Sequence, residues 1–562
     1  MTTHLPIDDM GTQLRPEPPA HGGEGALART AALVLEMAPD RAEGATPSLA
    51  AWLSLGSLVF LALFVFWGFD ALPFQDLPGH AGLIAIRHRF ATSPFDQRFF
   101  VFTSRLGPYS LFLLLGETFD RIAGPVAAVR ALATLPLLAT PAALLYARRK
   151  LHHDTSLTAG FFGIALSFGF MTLMGLASYL LGLAIMLVAV TVWLDMAAAF
   201  DSGQPTLKKE IEVGILAFLT FVGHGHAFVL LLMVTALASI PGGIRPRRLT
   251  RLTRSFLPSL AVAAWCALNG GPPPGAVPRG DVVPWPHFQG IYEKLSLLVT
   301  PTLMTRTGID ILLGAALWVL IISASIVTLR SVMKADPLAT EAERKSRMHS
   351  RALASAAIGI GVLFFVLPHS FGWFGFIDGR LVPLFLLLSI LGIRREALSQ
   401  RLRTALDQGA TLIALCLVAL VLFASYRFQG EATGYREVLS CVPSEAHLLN
   451  LPLDPYSDYF TAHPFIHYDK LVATERPVLL SDVWSYPGSA LYPKPDNPEL
   501  QLPSSYSESN LQWIDWPAYH MTDWDYVLIR VRPSSPPPYV PVSLTLAKHV
   551  GGWWLYRRAD GA

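Results

Sequence analysis

Charged residues are scarce in this chain. Asp, Glu, Lys and Arg make up 15% of its 562 residues, against 52% hydrophobic residues, and the mean hydropathy is +0.43. Soluble domains carry roughly 25% charged residues, so the composition excludes a large soluble protein and indicates a polytopic membrane protein. Cysteine is nearly absent: Cys266 and Cys416 lie in apolar runs and Cys441 alone lies among polar residues, which excludes a disulfide framework. There is no CxxC pair, no Gly-rich phosphate loop, no basic stripe and no periodic repeat. Zinc-finger, nucleotide-hydrolase and nucleic-acid-binding readings therefore have nothing to rest on. The net charge of +2 says little about partners, but the placement of the basic residues is informative.

Residues 1–48 are rich in Pro, Gly, Ala and charge and read as a disordered cytoplasmic tail with a short helix over Ala26–Met37. Leu49–Trp67 is uncharged and long enough to span a bilayer, with Trp52 and Trp67 placed as interfacial anchors. The basic clusters Arg148-Arg149-Lys150, Lys208-Lys209, Arg245 to Arg254, Arg330 to Arg351 and Arg394-Arg395 are assigned to the cytoplasm by the positive-inside rule. The N-terminus is then cytoplasmic and the loop 68–105 lies outside. Leu106–Gly116 stops at Glu117, Asp120 and Arg121 and is too short to cross, so the span is expected near Ala131–Ala147. Leu157–Leu194 is long enough for a hairpin turning at Gly169–Tyr179. Ile211–Ile240 is uncharged between basic flanks, so it too should go out and return, breaking at Gly223-His224-Gly225-His226 with arms of about 18–21 Å. Phe256–Leu268, Ile309–Leu329, Ala352–Pro368, Leu381–Ile393 and Gly409–Ala424 complete about eleven crossings.

The expected fold is thus a polytopic α-helical membrane protein of about 11–13 membrane helices, with the multi-span domain over 49–425. Residues 426–562 read as a small C-terminal extracytoplasmic α/β domain. Its strand-like runs are Ala446–Leu453, Val478–Val483, Tyr526–Val531 and Trp553–Tyr556, with a helical run near Pro464–Thr474. Its His463, His467 and Asp469 read as structural, with a substrate-covering role left open.

The stretch Gln75-Asp76-Leu77-Pro78-Gly79-His80 carries the first chemistry. On a helix, Asp76 and His80 fall one turn apart on one face and could take a proton or hold a charged substrate. Equally, Asp76 could only cap the helix. His224 and His226 are either polar groups facing a cavity or members of an ordinary external turn. A two-histidine metal site lacks a third ligand. Arg380 either pairs with Asp378 or points into a cavity where a guanidinium suits a phosphate.

An acidic first external loop, a many-span bundle and a terminal extracytoplasmic domain resemble the GT-C class of membrane glycosyltransferases. The likeness rests on Gln75 to His80, on Gly175-Leu176-Ala177-Ser178-Tyr179-Leu180-Leu181-Gly182, on His224 or His226, and on Arg380 opening a late span. The resemblance implies a polyprenyl-phosphate sugar donor and an extracytoplasmic acceptor in a cell envelope, at a bacterial inner membrane. It implies Asp76 as the base of an inverting transfer, with His80, Arg87 or Arg380 binding phosphate or orienting Asp76. His224, His226 and Glu117 are the further candidates for substrate binding. It requires no cofactor and leaves a divalent metal open, since a second acidic motif is missing. The competing reading is a non-catalytic membrane protein: a lipid-linked sugar transporter or flippase, or an envelope-assembly scaffold. A transporter should show related halves, and none is visible.

Overall fold

The computed structural model describes residues 47–559 apart from 104, 244–245, 278–284, 335–336, 373, 484–489, 509–510 and 512. The N-terminal tail with its expected helix at Ala26–Met37, and the loop residues Arg279 and Asp281, lie outside the described residues. Thr46–Ala562 forms one compact unit.

In chain order the main helices are α1 (Leu49–Trp67), α2 (Leu77–Arg89), α3 (Ser110–Ala123), α4 (Pro125–His152), α5 (Thr158–Ser167), α6 (Ala177–Asp201) and α7 (Leu207–Gly223). They continue as α8 (Gly225–Ser239), α9 (Leu257–Asn269), α10 (Ile309–Met333), α11 (Glu341–Val366), α12 (Leu381–Gly392) and α13 (Gln400–Ala432). Among the described residues seven are long and apolar enough to cross a membrane: α1, α4, α6, α8 extended to Gly242, α10, α11 and α13. The shorter α3, α5, α7, α9 and α12 complete the bundle. The chain is a multi-pass membrane protein, as its composition requires.

Local sequence sets the helix starts. Ser48 accepts from Ala51 N at 3.2 Å and opens α1. Thr340 and Glu343 form a capping box that opens α11. Two expected boundaries move. Charged residues do not stop α3, which continues through Glu117 and Asp120, because its charged positions face other polar groups. The arm α7 begins at Leu207 and includes Lys208, Lys209 and Glu210. It is therefore about 25 Å long, not 18–21 Å, since first-turn charges can sit at an interface while the helix runs on into lipid.

One end of the bundle gathers the basic clusters around carboxylates, of which Asp195 and Glu210 are buried. Asp195, near the end of α6, receives Lys345 at 2.6 Å, Lys209 at 2.9 Å and Lys150 at 3.3 Å. Arg248 pairs with Asp201 at 2.9 Å, Arg148 with Asp154 at 2.7 Å and Arg395 with Asp407 at 2.6 Å. Glu210 is held by Arg251 and Arg254.

The other end carries the C-terminal domain. Its five-stranded sheet comprises β1 (His447–Pro452), β2 (Leu479–Leu480), β3 (Tyr526–Arg530), β4 (Leu544–Val550) and β5 (Trp553–Arg558). The order is β2-β1-β3-β5-β4, with β1 parallel to β2 and β3 and the remaining pairs antiparallel. The central strands β1 and β3 are nearly continuous buried apolar runs, as strands covered on both faces must be. The edge strand β4 is largely exposed and carries Lys548 and His549, the pattern expected of a protected edge; it is the one long strand absent from the sequence-based expectation. The helical run is a 3-10 helix over Tyr468–Thr474. It packs on α2, and Tyr468 Oη donates to Leu72 O at 2.9 Å. The first loop and the C-terminal domain thereby become one structure.

Candidate functional site

Asp76 directly precedes α2 with φ −90° and ψ −10°, and its side chain makes no capping hydrogen bond. A capping residue ordinarily has extended backbone, which aims its oxygen back at the first-turn N–H groups. Asp76 is already helical in conformation, so the capping alternative does not hold. Its backbone is fixed from outside α2: Asp76 N donates to Met174 O at 3.2 Å and Gln75 N to Leu173 O at 2.9 Å.

The segment Gly175–Gly182 brings three groups together. Gly175 has φ +80°, and a Cβ there would lie 2.9 Å from Asp76 N. A Cβ on Gly182 would lie 3.0 Å from His224 Cβ. Both positions need glycine so that the first loop and the α7–α8 turn can approach. Between them Tyr179 lies with its ring centroid 5.4 Å from that of His224 and 5.9 Å from that of His226. Its hydroxyl donates to Arg380 O at 2.8 Å.

Arg380 does not pair with Asp378. Asp378 is taken by Lys294 at 2.9 Å and His369 at 2.8 Å. Arg380 is 6% exposed, with no carboxylate within 4 Å among the described residues. Its Cζ lies 4.3 Å from the Phe374 ring and 5.2 Å from the Tyr179 ring, a cation–π box. Nη1 lies 3.4 Å from His226 Nδ1, and Nε has no hydrogen-bond partner. A buried donor left unmade costs about 1–3 kcal/mol, which a bound anion would remove.

The remaining expected residues divide. His224 is the N-cap of α8, its Nδ1 accepting from His226 N at 3.2 Å, so it serves the turn while also lying against Tyr179. Arg87 and Glu117 pair with each other, and Arg87 stacks on Phe102 at 4.7 Å. They stand about three turns along α2 from Asp76 and form a separate cluster. His80 faces Phe112, ring to ring at 4.8 Å. Burial, and then the nearby charge of His467, lower its pKa to about 3. It is neutral, so it supplies no positive charge to a phosphate.

The structure adds His467, which the sequence assigned to a structural role. Its Nε2 lies 3.8 Å from Asp76 Oδ1 and its Nδ1 2.9 Å from Glu508 Oε2. Glu508 Oε1 accepts from Lys470 Nζ at 2.6 Å and from Tyr506 Oη at 3.1 Å. Lys470 also reaches Asp469 at 2.9 Å. Asn450 Nδ2 bridges Asp469 Oδ1 and Glu508 Oε1, each at 3.0 Å. This buried network fixes the imidazole from behind. Burial opposes the charge on His467, but the hydrogen bond and charge of Glu508 outweigh it and raise its pKa. Burial would raise the Glu508 carboxyl too, but Lys470 and His467 hold it below its ordinary value. At Asp76 burial dominates: it raises the pKa to about 6, with His467, the Gln75 hydrogen bond and Arg380 pulling the other way. With Asp76 and His467 391 positions apart in the sequence, no spacing pattern could have linked them. Among the described residues no group of three His, Cys, Asp or Glu side chains could hold a metal ion.

No protein-family model matches the sequence, and no curated protein matches it. The structure is similar to that of ArnT from Cupriavidus metallidurans, solved bound to undecaprenyl phosphate, with a TM-score of 0.53 and 13% identity over 92% of this chain and 99% of that one. The fold is GT-C-like. Weaker similarities reach the arabinofuranosyltransferase AftD from Mycobacteria (TM-score 0.46, 13% identity, 93% of this chain and 40% of that one). They also reach the oligosaccharyltransferase AglB from Archaeoglobus fulgidus, in complex with an inhibitory peptide and a dolichol-phosphate (TM-score 0.46, 12% identity, 86% of this chain and 69% of that one). At such identities a GT-C-like fold is a statement about architecture, and the chemistry has to be argued from the site.

Proposed function

We propose that this chain is a membrane glycosyltransferase that moves a sugar from a polyprenyl-phosphate donor to an acceptor hydroxyl on the extracytoplasmic side of a bacterial inner membrane. The observation that carries the reading is the juxtaposition of Asp76, free of a capping role, with Arg380, a buried guanidinium with no carboxylate within 4 Å among the described residues. The first is an acid–base group with its pKa pushed up to about 6; the second is an anion-binding group. The GT-C-like fold, shared with a protein solved bound to undecaprenyl phosphate, supports that pairing of roles.

In this reaction Asp76 accepts the proton of the acceptor hydroxyl as its oxygen bonds to the anomeric carbon. The bond from that carbon to the phosphate oxygen breaks with its electron pair, and polyprenyl phosphate leaves. Charge builds on the phosphate, where Arg380, dried by Tyr179 and Phe374, offsets it. His467, oriented by Glu508, holds Asp76 in its ionised form at neutral pH. The basic end of the bundle faces the cytoplasm, so Asp76, Arg380 and the C-terminal domain face outward. Full-length protein in nanodiscs should bind undecaprenyl phosphate, and membranes containing it should transfer label from radiolabelled undecaprenyl-phosphate sugars. Absence of binding by the folded protein removes the donor class; binding without transfer across a panel of pentose and hexose donors supports the transporter or scaffold reading.

A further inference from the structure

At the basic end, a cleft of about 270 Å³ opens between the ends of α6, α8 and α10 and the start of α11, near the lower bound of small-molecule sites, about 300 Å³. Its wall is apolar, from Trp193, Leu194 and Ala238. Five cations line it: Arg248, Lys334, Arg344, Arg347 and Arg351. No described residue lining it is acidic. Topology alone explains basic residues at this end, but it does not require them to converge on a concave, half-apolar surface.

Three of the five are anchored by the protein. Arg248 is neutralised by Asp201 through contacts of 2.9 and 3.1 Å. Arg347 Nη1 donates to Lys334 O at 3.1 Å and Arg351 Nε to Val332 O at 2.8 Å, contacts that fix the positions of both side chains. Lys334 and Arg344 have no carboxylate within 4 Å among the described residues. Among the described residues the first-turn acids of α11, Glu341 and Glu343, come within 4 Å of neither Lys334 nor Arg344; Glu343 is engaged in the capping box with Thr340, at 2.7 Å to its N–H, and its charge acts on Arg347. Arg344, Arg347 and Arg351 follow at helical spacing on one face of α11. Beside the opening, Ile240 and Met333 are exposed at 51% and 73%.

We infer that this cleft binds the phosphate of an anionic phospholipid, with Lys334 and Arg344 as its free cations and the acyl chains lying along Ile240 and Met333. A soluble anion would use the cations and leave the apolar wall and flank unused; a lipid uses both, and basic pockets between helix ends are suited to such headgroups. The site is distant from Asp76 and does not depend on the proposed activity.

The test is native mass spectrometry of the full chain released from nanodiscs containing phosphatidylglycerol, cardiolipin or phosphatidylethanolamine, alone and with inorganic phosphate. Retained phosphatidylglycerol or cardiolipin is expected, with little retained phosphatidylethanolamine. Each cation removed, in Arg344→Gln and in Lys334→Gln, should weaken retention about fivefold, and the double variant more. Both positions are exposed, and melting in phosphatidylcholine checks that the variants fold. Arg380→Gln should leave this retention unchanged. Equal retention by the folded double variant, equal retention of phosphatidylethanolamine, or displacement of the lipid by millimolar phosphate would each overturn the inference.

Discussion

The two ends of the bundle treat charge in opposite ways. At the basic end the buried carboxylates of the described residues are matched: Asp195 has three lysines within 3.3 Å, and Glu210 has two arginines. At the other end the charged partner of Asp76 within 4 Å is an imidazole at 3.8 Å, beside a 3.4 Å hydrogen bond from Gln75, and among the described residues Arg380 has no carboxylate within 4 Å and an unpartnered Nε. Pairing at the basic end serves the fold, since removing one partner of a buried ion pair strands the other. The unmatched pair leaves charge available to a ligand. The contrast holds between particular groups and not between whole regions, because Asp378 and Glu508 lie on the open side and are fully paired.

The sharpest way to break this comparison is to neutralise the unmatched acid. Asp76→Asn should cut transfer by roughly 10³-fold, within the range for loss of a general base, while thermal melting stays near that of the parent, because the one ion pair it loses is the long 3.8 Å contact with His467, which Glu508 still holds at 2.9 Å. Arg380→Gln should lower transfer by about 10²-fold, the scale of one lost oxyanion donor, and weaken undecaprenyl phosphate binding in titrations. Asp195→Asn should do the reverse: it should cost stability by about 3 kcal/mol, seen as a lower melting temperature, and leave transfer per folded molecule unchanged. If Asp195→Asn abolished transfer in a fully folded sample, the division between the two ends would be wrong.

A smaller effect sharpens the picture within the site. Asp76 acts as the base when ionised, so transfer should fall as pH drops through about 6, its raised pKa. The positive charge of His467 lowers that pKa, so His467→Gln should move the acid limb upward by about half a unit to one unit. Glu508→Gln removes the group that keeps His467 charged and should move the limb in the same direction. A pH–rate profile that His467→Gln leaves in place would reduce His467 to a packing role.

Much of the architecture was legible because lipid makes strong demands. Apolar runs of spanning length are hard to conceal, and the basic clusters did collect at one end. The Gly-His-Gly-His break is real: His224 has φ −164° and ψ 120° between two helices. Four strands were visible as buried apolar runs, whereas β4, an edge strand exposed along most of its length, carried too weak a signal. The site was legible in part. The Asp76 stretch, the Gly175–Gly182 segment, His226 and Arg380 meet because each stands at a helix end on the same side. Arg87 and Glu117 fell away, since on α2 and α3 they are placed to satisfy each other. His80 lost its proposed charge to burial, a property that sequence does not display. His467 reaches Asp76 only after the C-terminal domain has packed on α2, and that contact has no local signature.

The central claim is that Asp76 and Arg380 serve one phosphate-bearing donor. A cryo-EM structure of the full-length protein in nanodiscs with undecaprenyl phosphate tests it most directly. The phosphate should hydrogen-bond the Arg380 guanidinium, Nε included, with the Asp76 carboxyl facing the same opening. Density for the phosphate at any other place, with Arg380 still sealed between Tyr179 and Phe374, would contradict it.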